Sequence, residues 1–560
     1  MVRSSLDKYK VIIAYDFGTT YSGASYALVD VNQEVIDVQK WSSKSGNYYP
    51  KTPSILLVDN AEPHGMAGWG YEVKRMLKNP LYSKNYTLFS SFKLNLEQRL
   101  KRPELPFHLT PVSVVASYLR AMHQHVLQEL KRDFTQFFGE DTYRYCLTVP
   151  AMWSDRAKAL MREACIQAEI ITRTDPPERL LLISEPEAAA LYCDEICDQV
   201  QLQGAQRLMV CDAGGGTVDL MVFEVDGPRK LREVTKGMGG ACGSQFLDER
   251  FRHFLNDKLA LPIDQIPTMA LLNMMDQFID NIKPAFDGLD DHYLELPSGV
   301  PVQPLQAADP DSIDQGTLIL QAAELKEKVF DPVINQVLQL IEQQFRELDG
   351  QTIDYLFLVG GFGTSHYLYQ RIQDTFRNRI HQIVCPNRAE MAIVRGAVYF
   401  GLHPRTITAR VSRRTYGINA GLPFDADLDP IETRVTRPDG SERCVTGFLP
   451  FVYKGDRIPI DHCIYDSMYI YYGTIKTTNV TLYATEREGI PRHYTDAGVH
   501  PIATIAVPIP TLPKATHGER IPFVIRMYLG QTEIRTEADF GHGQVFRLYG
   551  DFDAVNQYTS

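Results

Sequence analysis

The sequence predicts a mixed α/β region that contains an internal repeat, followed by an all-β region. Two glycine-rich hairpins, at 11–29 and 207–225, share one pattern of residue types. Around them, apolar extended runs alternate with amphipathic helical patterns up to about residue 402. From about residue 405 the helical periodicity disappears, and runs rich in β-branched and aromatic residues are separated by Pro and Gly.

The length and composition indicate a globular protein with more than one domain. A chain of 560 residues exceeds what one hydrophobic core accommodates. Hydrophobic residues make up 44% and charged residues 22%, as in ordinary globular domains. The net charge is −12 and no basic stripe is present, so we expect neither nucleic acid nor an anionic membrane surface as a partner.

Cysteine usage favours a reducing compartment. The nine cysteines are odd in number, no CxxC occurs, and several lie within apolar runs as small core residues. No stretch approaches a membrane span in length, and the first ten residues contain no signal-peptide core. We therefore expect a cytoplasmic protein, with the nucleus as the alternative.

The two hairpins repeat one arrangement of strand, acidic residue and glycine turn. The first reads VIIAYDFGTTYS and the second LMVCDAGGGTVD. Asp16 and Asp212 end the apolar runs, and the glycines that follow each of them form the turns. The same local structure is therefore expected twice in one chain.

Each of these turns is suited to phosphate binding. Glycines let backbone N–H groups approach an anion, threonine hydroxyls add donors, and an aspartate at a strand end can orient the water shell of a metal ion. Two such turns could hold one polyphosphate from opposite sides. A P-loop does not fit, because neither turn carries GxxxxGK(S/T) or precedes a helical pattern. The remaining alternative is that both are ordinary hairpins.

Lys93 and Glu185 are further candidates for the same site. Lys93 lies within the apolar and hydroxyl-bearing stretch LFSSFKLNL, where its ammonium reaches either solvent or a terminal phosphate. Glu185 follows the strand predicted at 180–183 and begins the run EPEAAA, which is typical of a helix start. Its carboxylate therefore either caps that helix or points into a cleft.

Periodicity predicts the main elements around these residues. Residues 110–131 have the apolar spacing of an amphipathic helix, and helical pattern covers 321–348 with a kink or break at Pro332. Residues 353–376 read as a strand, a glycine turn and a helix whose start can face a ribose or a phosphate.

The motifs DFGTTYS, TVPAMW, SEPEAAALY, DAGGGTVD and LVGGFGTS, in this order and rough spacing, resemble the nucleotide-binding domain of the 70-kDa heat-shock protein family. The resemblance implies an α/β, actin-like, two-lobed ATPase domain with duplicated ribonuclease-H-like lobes. The β-rich tail is similar, more faintly, to the sandwich-like peptide-binding domain of these chaperones. The implied boundaries are a tail at 1–9, lobe I at about 10–204, lobe II at about 205–402 (10–402 together), a linker at 403–414 and a β-rich domain at 415–560.

The resemblance also implies ligands and residue roles. ATP or ADP would bind in a central cleft with Mg²⁺, and K⁺ would be a further cation. Asp16 and Asp212 would hold the metal through water. The implied catalytic residues are Lys93, Glu185, Asp212 and Thr217. The implied nucleotide contacts are Asp16, Gly18, Thr19, Thr20, Tyr21, Gly214, Gly215, Gly216, Thr217, Lys283, Gly360 and Gly361.

Three departures from the family pattern change what we expect. After Gly361 the usual Ser-Thr-Arg is replaced, and Pro284 stands where an arginine is usual, so recognition of the base is expected to differ. The acidic apolar linker is replaced by HPRTITARVSRR, which alters the expected coupling between domains. The β-rich segments end close to Ser560, so a divergent member without a helical lid is expected.

Three functions are compatible with these features. The first is a slowly ATP-hydrolysing chaperone whose nucleotide state changes the grip of the β-rich domain on extended polypeptide, together with co-chaperones or nucleotide-exchange factors. The second is a nucleotide-gated regulatory protein with little or no ATPase activity, whose β-rich domain binds a protein partner. The third, a small-molecule kinase of the same superfamily, is disfavoured by the SEPEAAA run and the β-rich tail.

Overall fold

The computed structural model contains two compact units. Unit 1 comprises 1–153, 160–229 and 237–406, and unit 2 comprises 154–159, 230–236 and 407–560. The residues that the structure describes are 8–30, 33–41, 49–63, 65–79, 85–100, 102–133, 139–196, 204–227, 229–259, 265–300, 313–314, 316–436, 440–473, 476–512, 515–530, 532–541 and 545–548.

Most helical segments follow the predicted periodicity. The described α-helices are α1 Tyr71–Leu77, α2 Pro111–Asp133, α3 Asp155–Gln167, α4 Glu185–Ile196, α5 Gln245–Leu259, α6 Thr268–Gln277, α7 Lys283–Ala285, α8 Ala322–Leu325, α9 Asp331–Glu347, α10 His366–Phe376 and α11 Ala392–Leu402. A π-helical turn at Lys326–Phe330 joins α8 to α9. This wide turn lies just before Pro332, whose ring cannot follow a regular helical turn. The irregularity predicted there is therefore confirmed.

The strands are distributed over both units. In chain order they are β1 Val11–Phe17, β2 Tyr21–Leu28, β3 Ile36–Asp37, β4 Thr52–Pro53, β5 Ile55–Asp59, β6 Met66–Trp69, β7 Tyr86–Ser90, β8 Tyr143–Val149, β9 Leu180–Ser184, β10 Arg207–Ala213, β11 Val218–Val225, β12 Leu231–Glu233, β13 Met238–Gly240, β14 His292–Glu295, β15 Ile313–Asp314, β16 Thr317–Leu320, β17 Ile353–Val359, β18 Ile380–Val384, β19 Ile407–Val411, β20 Thr415–Pro423, β21 Arg434–Thr436, β22 Glu442–Val452, β23 Arg457–Pro459, β24 Cys463–Tyr471, β25 Thr477–Thr485, β26 Val499–Pro508, β27 Arg520–Tyr528, β28 Arg535–Asp539 and β29 Val545–Leu548.

Two sheets of unit 1 have the same strand order around a hairpin. In the first, β1 pairs antiparallel with β2 and parallel with β8, which pairs parallel with β9. In the second, β10 pairs antiparallel with β11 and parallel with β17, which pairs parallel with β18. The pattern that is repeated in the sequence is thus a repeated sheet topology, with one glycine turn in each sheet.

The central strands of these sheets are buried on both faces. All residues of β1, β8 and β11 are buried, as expected for apolar strands covered by helices. Asp16 and Asp212 lie near the carboxyl ends of β1 and β10, so burial of the strands also buries these carboxylates. The sheets therefore carry acidic groups inside the protein, next to the turns.

Helix α11 packs against α4 and fixes the helix that begins at Glu185. A Cβ on Gly396 of α11 would overlap the backbone carbonyl of Ala188 in α4. At Gly401 a Cβ would lie 2.7 Å from Sγ of Cys146, which belongs to the central strand β8. These close approaches require glycine, and they hold α4 at a fixed position relative to the first sheet.

Unit 2 contains two antiparallel sheets that share a buried apolar cluster. One sheet has the order β21–β22–β20–β25–β26 and the other β24–β27–β28–β29. Leu482 and Val507 from the first sheet pack in the same cluster as Phe523 and Ile525 from the second. The all-β character predicted for this region is confirmed.

The segment expected as a linker contains a strand. Ile407–Val411 pairs parallel with β12 and antiparallel with β23, and all three strands belong to unit 2. The three β-branched residues of ITARV suit this pairing, whereas the sequence interpretation considered mainly the arginines around them. Only 403–406 and 412–414 of the expected linker lie outside the strand.

Within the described residues, no helix has the length and hydropathy that crossing a bilayer requires.

Candidate functional site

The two glycine turns of unit 1 meet each other. A Cβ on Gly215 would overlap Oγ1 of Thr20, and a Cβ on Gly216 would lie 2.7–2.8 Å from side-chain atoms of Thr19. Residues about 200 positions apart are therefore in contact, and the contact tolerates no side chain at Gly215 or Gly216.

Helix α5 orients the second turn. The amides of Ser244 and Gln245, at its start, donate hydrogen bonds to the carbonyls of Gly214 and Gly215, at 3.0 and 2.8 Å. The carbonyl of Gly216 accepts a longer bond, 3.3 Å, from the amide of the glycine that precedes this pair. The carbonyl oxygens of the turn are thus engaged on the helix side.

The amides of both turns are available for an anion. Among the described residues, no acceptor takes the backbone N–H groups of Thr19, Thr20, Gly215 or Gly216. A bond from the Gly214 amide to the Thr217 carbonyl, 3.0 Å, closes the second turn. Backbone N–H groups of turns that lack protein acceptors can bind an anion.

Lys93 and Glu185 form a buried ion pair. Nζ of Lys93 lies 2.6 Å from Oε1 of Glu185, and both side chains are less than a tenth exposed. The ammonium also lies 5.5 Å from the ring centroid of Trp153 and 5.8 Å from that of Phe17. Burial raises the pKa of Glu185 to about 7, opposed by Lys93 and reinforced by Asp219. Lys93 therefore does not extend into solvent, and Glu185 lies both in the first turn of α4 and in a buried ion pair.

Asp212 carries an unsatisfied buried oxygen. Its Oδ1 has no hydrogen-bond partner among the described residues. Gly360, with φ of +83°, lies against it, since a Cβ there would be 2.6 Å from Oδ1. Burial, followed by the neighbouring charges of Glu185 and Asp219, raises the pKa of Asp212 well above its ordinary value. A buried carboxylate in this situation is a position where a cation would be favourable.

Asp16 is paired inside the protein. Nζ of Lys51 lies 2.6 Å from Oδ2 of Asp16, and Oγ1 of Thr148 donates to Oδ1 at 3.2 Å. Both Lys51 and Asp16 are buried. The sequence interpretation identified Asp16 but neither of its partners.

The residues expected near the nucleoside have neighbours of their own. A Cβ on Gly361 would lie 3.4 Å from the Tyr49 hydroxyl. The Tyr49 ring packs edge-on against the Tyr21 ring, with 5.0 Å between the ring centroids. Lys283 instead forms an ion pair with Asp248 at 2.7 Å. At Gly18 a Cβ would overlap the Tyr21 carbonyl, which explains the glycine in the first turn.

Comparison with known proteins identifies the family. The sequence model described as Hsp70 protein matches residues 115–407, which is more than half of the chain. The chain belongs to the Hsp70 family. Heat shock 70 kDa protein 12B of Homo sapiens is 26% identical over 622 aligned residues, which cover 96% of this chain and 88% of that protein. Heat shock 70 kDa protein 12A of Mus musculus and of Homo sapiens is 24% identical, over 96% of this chain and 90% of each relative.

The resemblance predicted from the five motifs is confirmed. Hsp70 proteins form a family that binds ATP or ADP with a divalent cation, so this chain is a nucleotide-binding, Hsp70-like protein.

The charges next to the turns of this Hsp70 protein fit a divalent cation. The buried acidic side chains that interact here are Asp16, Glu185, Asp212 and Asp219. The buried ammonium groups of Lys51 and Lys93 balance two of the four negative charges. Burial first, and then the neighbouring carboxylates, raise the pKa values of Glu185 and Asp212. Hard carboxylate oxygens are the ligands and water-shell partners that Mg²⁺ prefers.

Sequence reasoning missed part of this group. Asp219 follows the glycine turn in GGGTVD, and its Oδ1 accepts a hydrogen bond from the Ala151 amide at 3.1 Å. Its position in the repeated hairpin was the signal that could have identified it. Lys51 offered no such signal, because it lies in a stretch without periodicity.

A second group of metal-ligand side-chain types lies in unit 2. Asp429, Cys444 and His493 place ligand atoms within 4.8 Å of one another. Arg492 donates to both oxygens of Asp429 at 2.8 Å and lowers the pKa of that carboxyl to about 2. Nδ1 of His493 lies 2.9 Å from Oγ1 of Thr446. Because these groups already have protein partners, we assign the cluster to internal hydrogen bonding.

Proposed function

We propose that unit 1 binds ATP with Mg²⁺ between its two glycine turns and hydrolyses it slowly. The observation that supports this most is the contact of the two turns, with amides that have no acceptor among the described residues, near buried carboxylates. In this proposal the two sheets of repeated topology belong to actin-like lobes at about 10–204 and 205–402. Each lobe supplies one turn to the same triphosphate.

The turns would be the phosphate-binding elements. The N–H groups of Thr19, Thr20, Gly215 and Gly216 would donate to phosphate oxygens, and the threonine hydroxyls would add donors. Gly18, Gly214 and Thr217 would maintain the shapes of the turns. When bound, Mg²⁺ would neutralise phosphate charge and fix phosphate geometry.

Five side chains would carry the chemistry. Asp212 and Asp16 would orient the water shell of the metal. Oδ1 of Asp212 is available to accept from a metal-bound water, because it has no partner among the described residues. Glu185, with a pKa raised to about 7, would orient the attacking water and accept its proton. Lys93 holds Glu185 at 2.6 Å, and its remaining N–H groups would donate to a phosphate oxygen. Thr217 would add a hydroxyl at the phosphate.

The nucleoside would lie on the side of Gly360 and Gly361. The Tyr49 hydroxyl beside Gly361 and the Tyr21 ring against Tyr49 provide an aromatic wall there. Lys283 would be positioned by its ion pair with Asp248. K⁺ would be a further cation of the phosphate site.

We further propose that unit 2 binds extended polypeptide with an affinity that depends on the nucleotide. Its five-stranded sheet ends in β21 and β26 among the described strands, and an end strand can pair with an added extended segment. Co-chaperones or nucleotide-exchange factors would act on this cycle. The alternative is a nucleotide-gated regulatory protein that binds one folded partner. The paired strand Ile407–Val411, where a free linker is expected, favours that alternative.

The test of hydrolysis is Mg²⁺-dependent ATP turnover by the full chain. We expect Glu185→Gln and Lys93→Met each to lower turnover at least about 100-fold, because positioning of water and of phosphate charge is lost. ATP affinity should change by less than about 10-fold in Glu185→Gln. The matched control is Lys10→Met, which removes an exposed ion pair with Asp30.

The outcomes separate the two candidate functions. Equal turnover in wild type and Glu185→Gln would contradict the proposed mechanism. Tight ATP binding with no wild-type turnover, together with ATP-dependent capture of one folded partner, would select the regulatory alternative. Affinity for generic extended peptides that changes with nucleotide would select the chaperone-like function.

A further inference from the structure

Lys51 is a buried lysine at the phosphate-site carboxylates that no motif of the chain predicts. It immediately precedes β4, which pairs with β2 through Thr52 with Ser22 and Pro53 with Tyr21. Its side chain is 7% exposed, and its stem lies over Gly23, where a Cβ would be 3.0 Å from Cγ of Lys51. The absence of a side chain at Gly23 thus leaves room for the stem of this lysine.

The ammonium of Lys51 is directed at the metal-site carboxylates. Nζ donates to Oδ2 of Asp16 at 2.6 Å. Asp16 and Asp212 are both among the negative charges that act on this ammonium. An ammonium has three N–H donors, and the Asp16 bond uses one of them. The ammonium of Lys51 therefore lies at Asp16 where a metal cation would otherwise balance the carboxylate, and it also interacts with the charge of Asp212.

Without Lys51, Asp16 would be an uncompensated buried charge. Its remaining described partner would be the neutral hydroxyl of Thr148 at 3.2 Å, next to the carboxylates of Glu185 and Asp212. Removing one member of a buried ion pair is strongly destabilising, because the other charge stays buried. The cluster would then hold four carboxylates against the single ammonium of Lys93.

We propose that Lys51 is a built-in cation that replaces a metal ion at Asp16 in the nucleotide-free protein. It keeps the first turn in place without Mg²⁺ and, during nucleotide binding, acts as a positioning residue that reduces the dependence of ATP affinity on Mg²⁺. The second half of this proposal rests on the proposed function. The first half concerns the chain alone and is tested without nucleotide.

The first measurement is thermal unfolding of the full, nucleotide-free chain in EDTA and in millimolar Mg²⁺. Lys51→Met is expected to unfold at a lower temperature than wild type in EDTA and to regain most of the loss in Mg²⁺, because the ion replaces the ammonium. Lys51→Arg keeps the charge and should show the smaller loss. The double variant Asp16→Asn/Lys51→Met should unfold at the same temperature in EDTA and in Mg²⁺, because the charge that required a cation is gone. Lys10→Met is the control.

The second measurement is ATP affinity of the same variants with and without Mg²⁺. Removal of Mg²⁺ should weaken ATP binding by Lys51→Met at least about 10-fold more than it weakens binding by wild type. An equal effect of Mg²⁺ on wild type and Lys51→Met, in unfolding temperature or in affinity, would overturn the inference. Absence of ATP binding by wild type would instead overturn the proposed function, and the EDTA comparison would still decide the role of Lys51.

Discussion

The buried carboxylates of unit 1 differ in how their charge is balanced. Glu185 pairs with Lys93 and Asp16 pairs with Lys51, each at 2.6 Å. Oδ1 of Asp212 has no hydrogen-bond partner among the described residues, and burial followed by the charge of Glu185 raises its pKa. A cation near Asp212 would therefore be favourable.

From the burial of His123 we expect a specific pH dependence of stability. The Tyr15 hydroxyl lies 2.6 Å from its Nδ1, and burial lowers the pKa of His123 to about 4. The unfolded chain takes up this proton near pH 6.5, so the stabilisation is complete above about pH 6.5 and is lost as pH falls towards 4. Between pH 6.5 and pH 4 the wild type loses unfolding free energy through this protonation. We expect His123→Gln to lose about 2–3 kcal/mol less than wild type over the same pH range.

Urea unfolding between pH 4 and pH 7 measures this effect. The glutamine can still accept from Tyr15, so the comparison isolates the titration from the hydrogen bond. The exposed His108→Gln is the control and should follow wild type. Parallel curves for His123→Gln and wild type would show that His123 is not buried in the neutral form.

Individual site residues were predictable only where a motif carried them. Asp16, Asp212 and the turn glycines follow from strand ends and from the conformational freedom that such turns need. Lys51 could not be predicted, because its pairing with a residue 35 positions earlier depends on the two-residue strand β4. A strand this short leaves no periodic pattern in the sequence.

The contact between α4 and α11 links helix packing to the site. Gly396 lies directly against the carbonyl of Ala188, three residues after Glu185. Gly396→Ala should separate the two helices, lower the unfolding free energy by about 1–3 kcal/mol and reduce ATP turnover through displacement of Glu185. Unfolding by denaturant and turnover under the same conditions measure both effects.

Gly204→Ala is the matched control for that variant, since a Cβ there meets no atom within 4 Å. It should retain wild-type stability and turnover. A Gly396→Ala protein that is as stable and as active as Gly204→Ala would mean that the close packing of α11 on α4 is not required.

Elements with strong local patterns were predictable, and irregular ones less so. The helices α2 and α10 and the strands β9 and β17 lie close to their predicted positions, because apolar periodicity determines them. The break at Pro332 was expected, but its form, a π-helical turn over Lys326–Phe330, depends on tertiary packing. Strand β19 was not predicted, because the arginines around it indicated a linker.

The two sheets of unit 1 that carry the glycine turns share one repeated topology. Two similar hairpins in the sequence predict two similar sheets, and the pairing of β1 with β8 and of β10 with β17 bears this out. The contact of Thr19 and Thr20 with Gly215 and Gly216 was a geometric expectation from phosphate chemistry. Local pattern cannot supply it, because the residues are far apart in the chain.

The central claim is that both turns enclose one triphosphate. Calorimetric titration of the full chain with ATP and with AMP, in Mg²⁺, compares wild type, Gly216→Ala and the control Gly204→Ala. A Cβ at Gly216 would lie 2.7 Å from Cγ2 of Thr19 and force the turns apart. We predict one ATP per wild-type chain, at least about 10-fold weaker ATP binding by Gly216→Ala, and unchanged AMP binding. Equal ATP affinities of wild type and Gly216→Ala, or no ATP binding at all, would contradict the account.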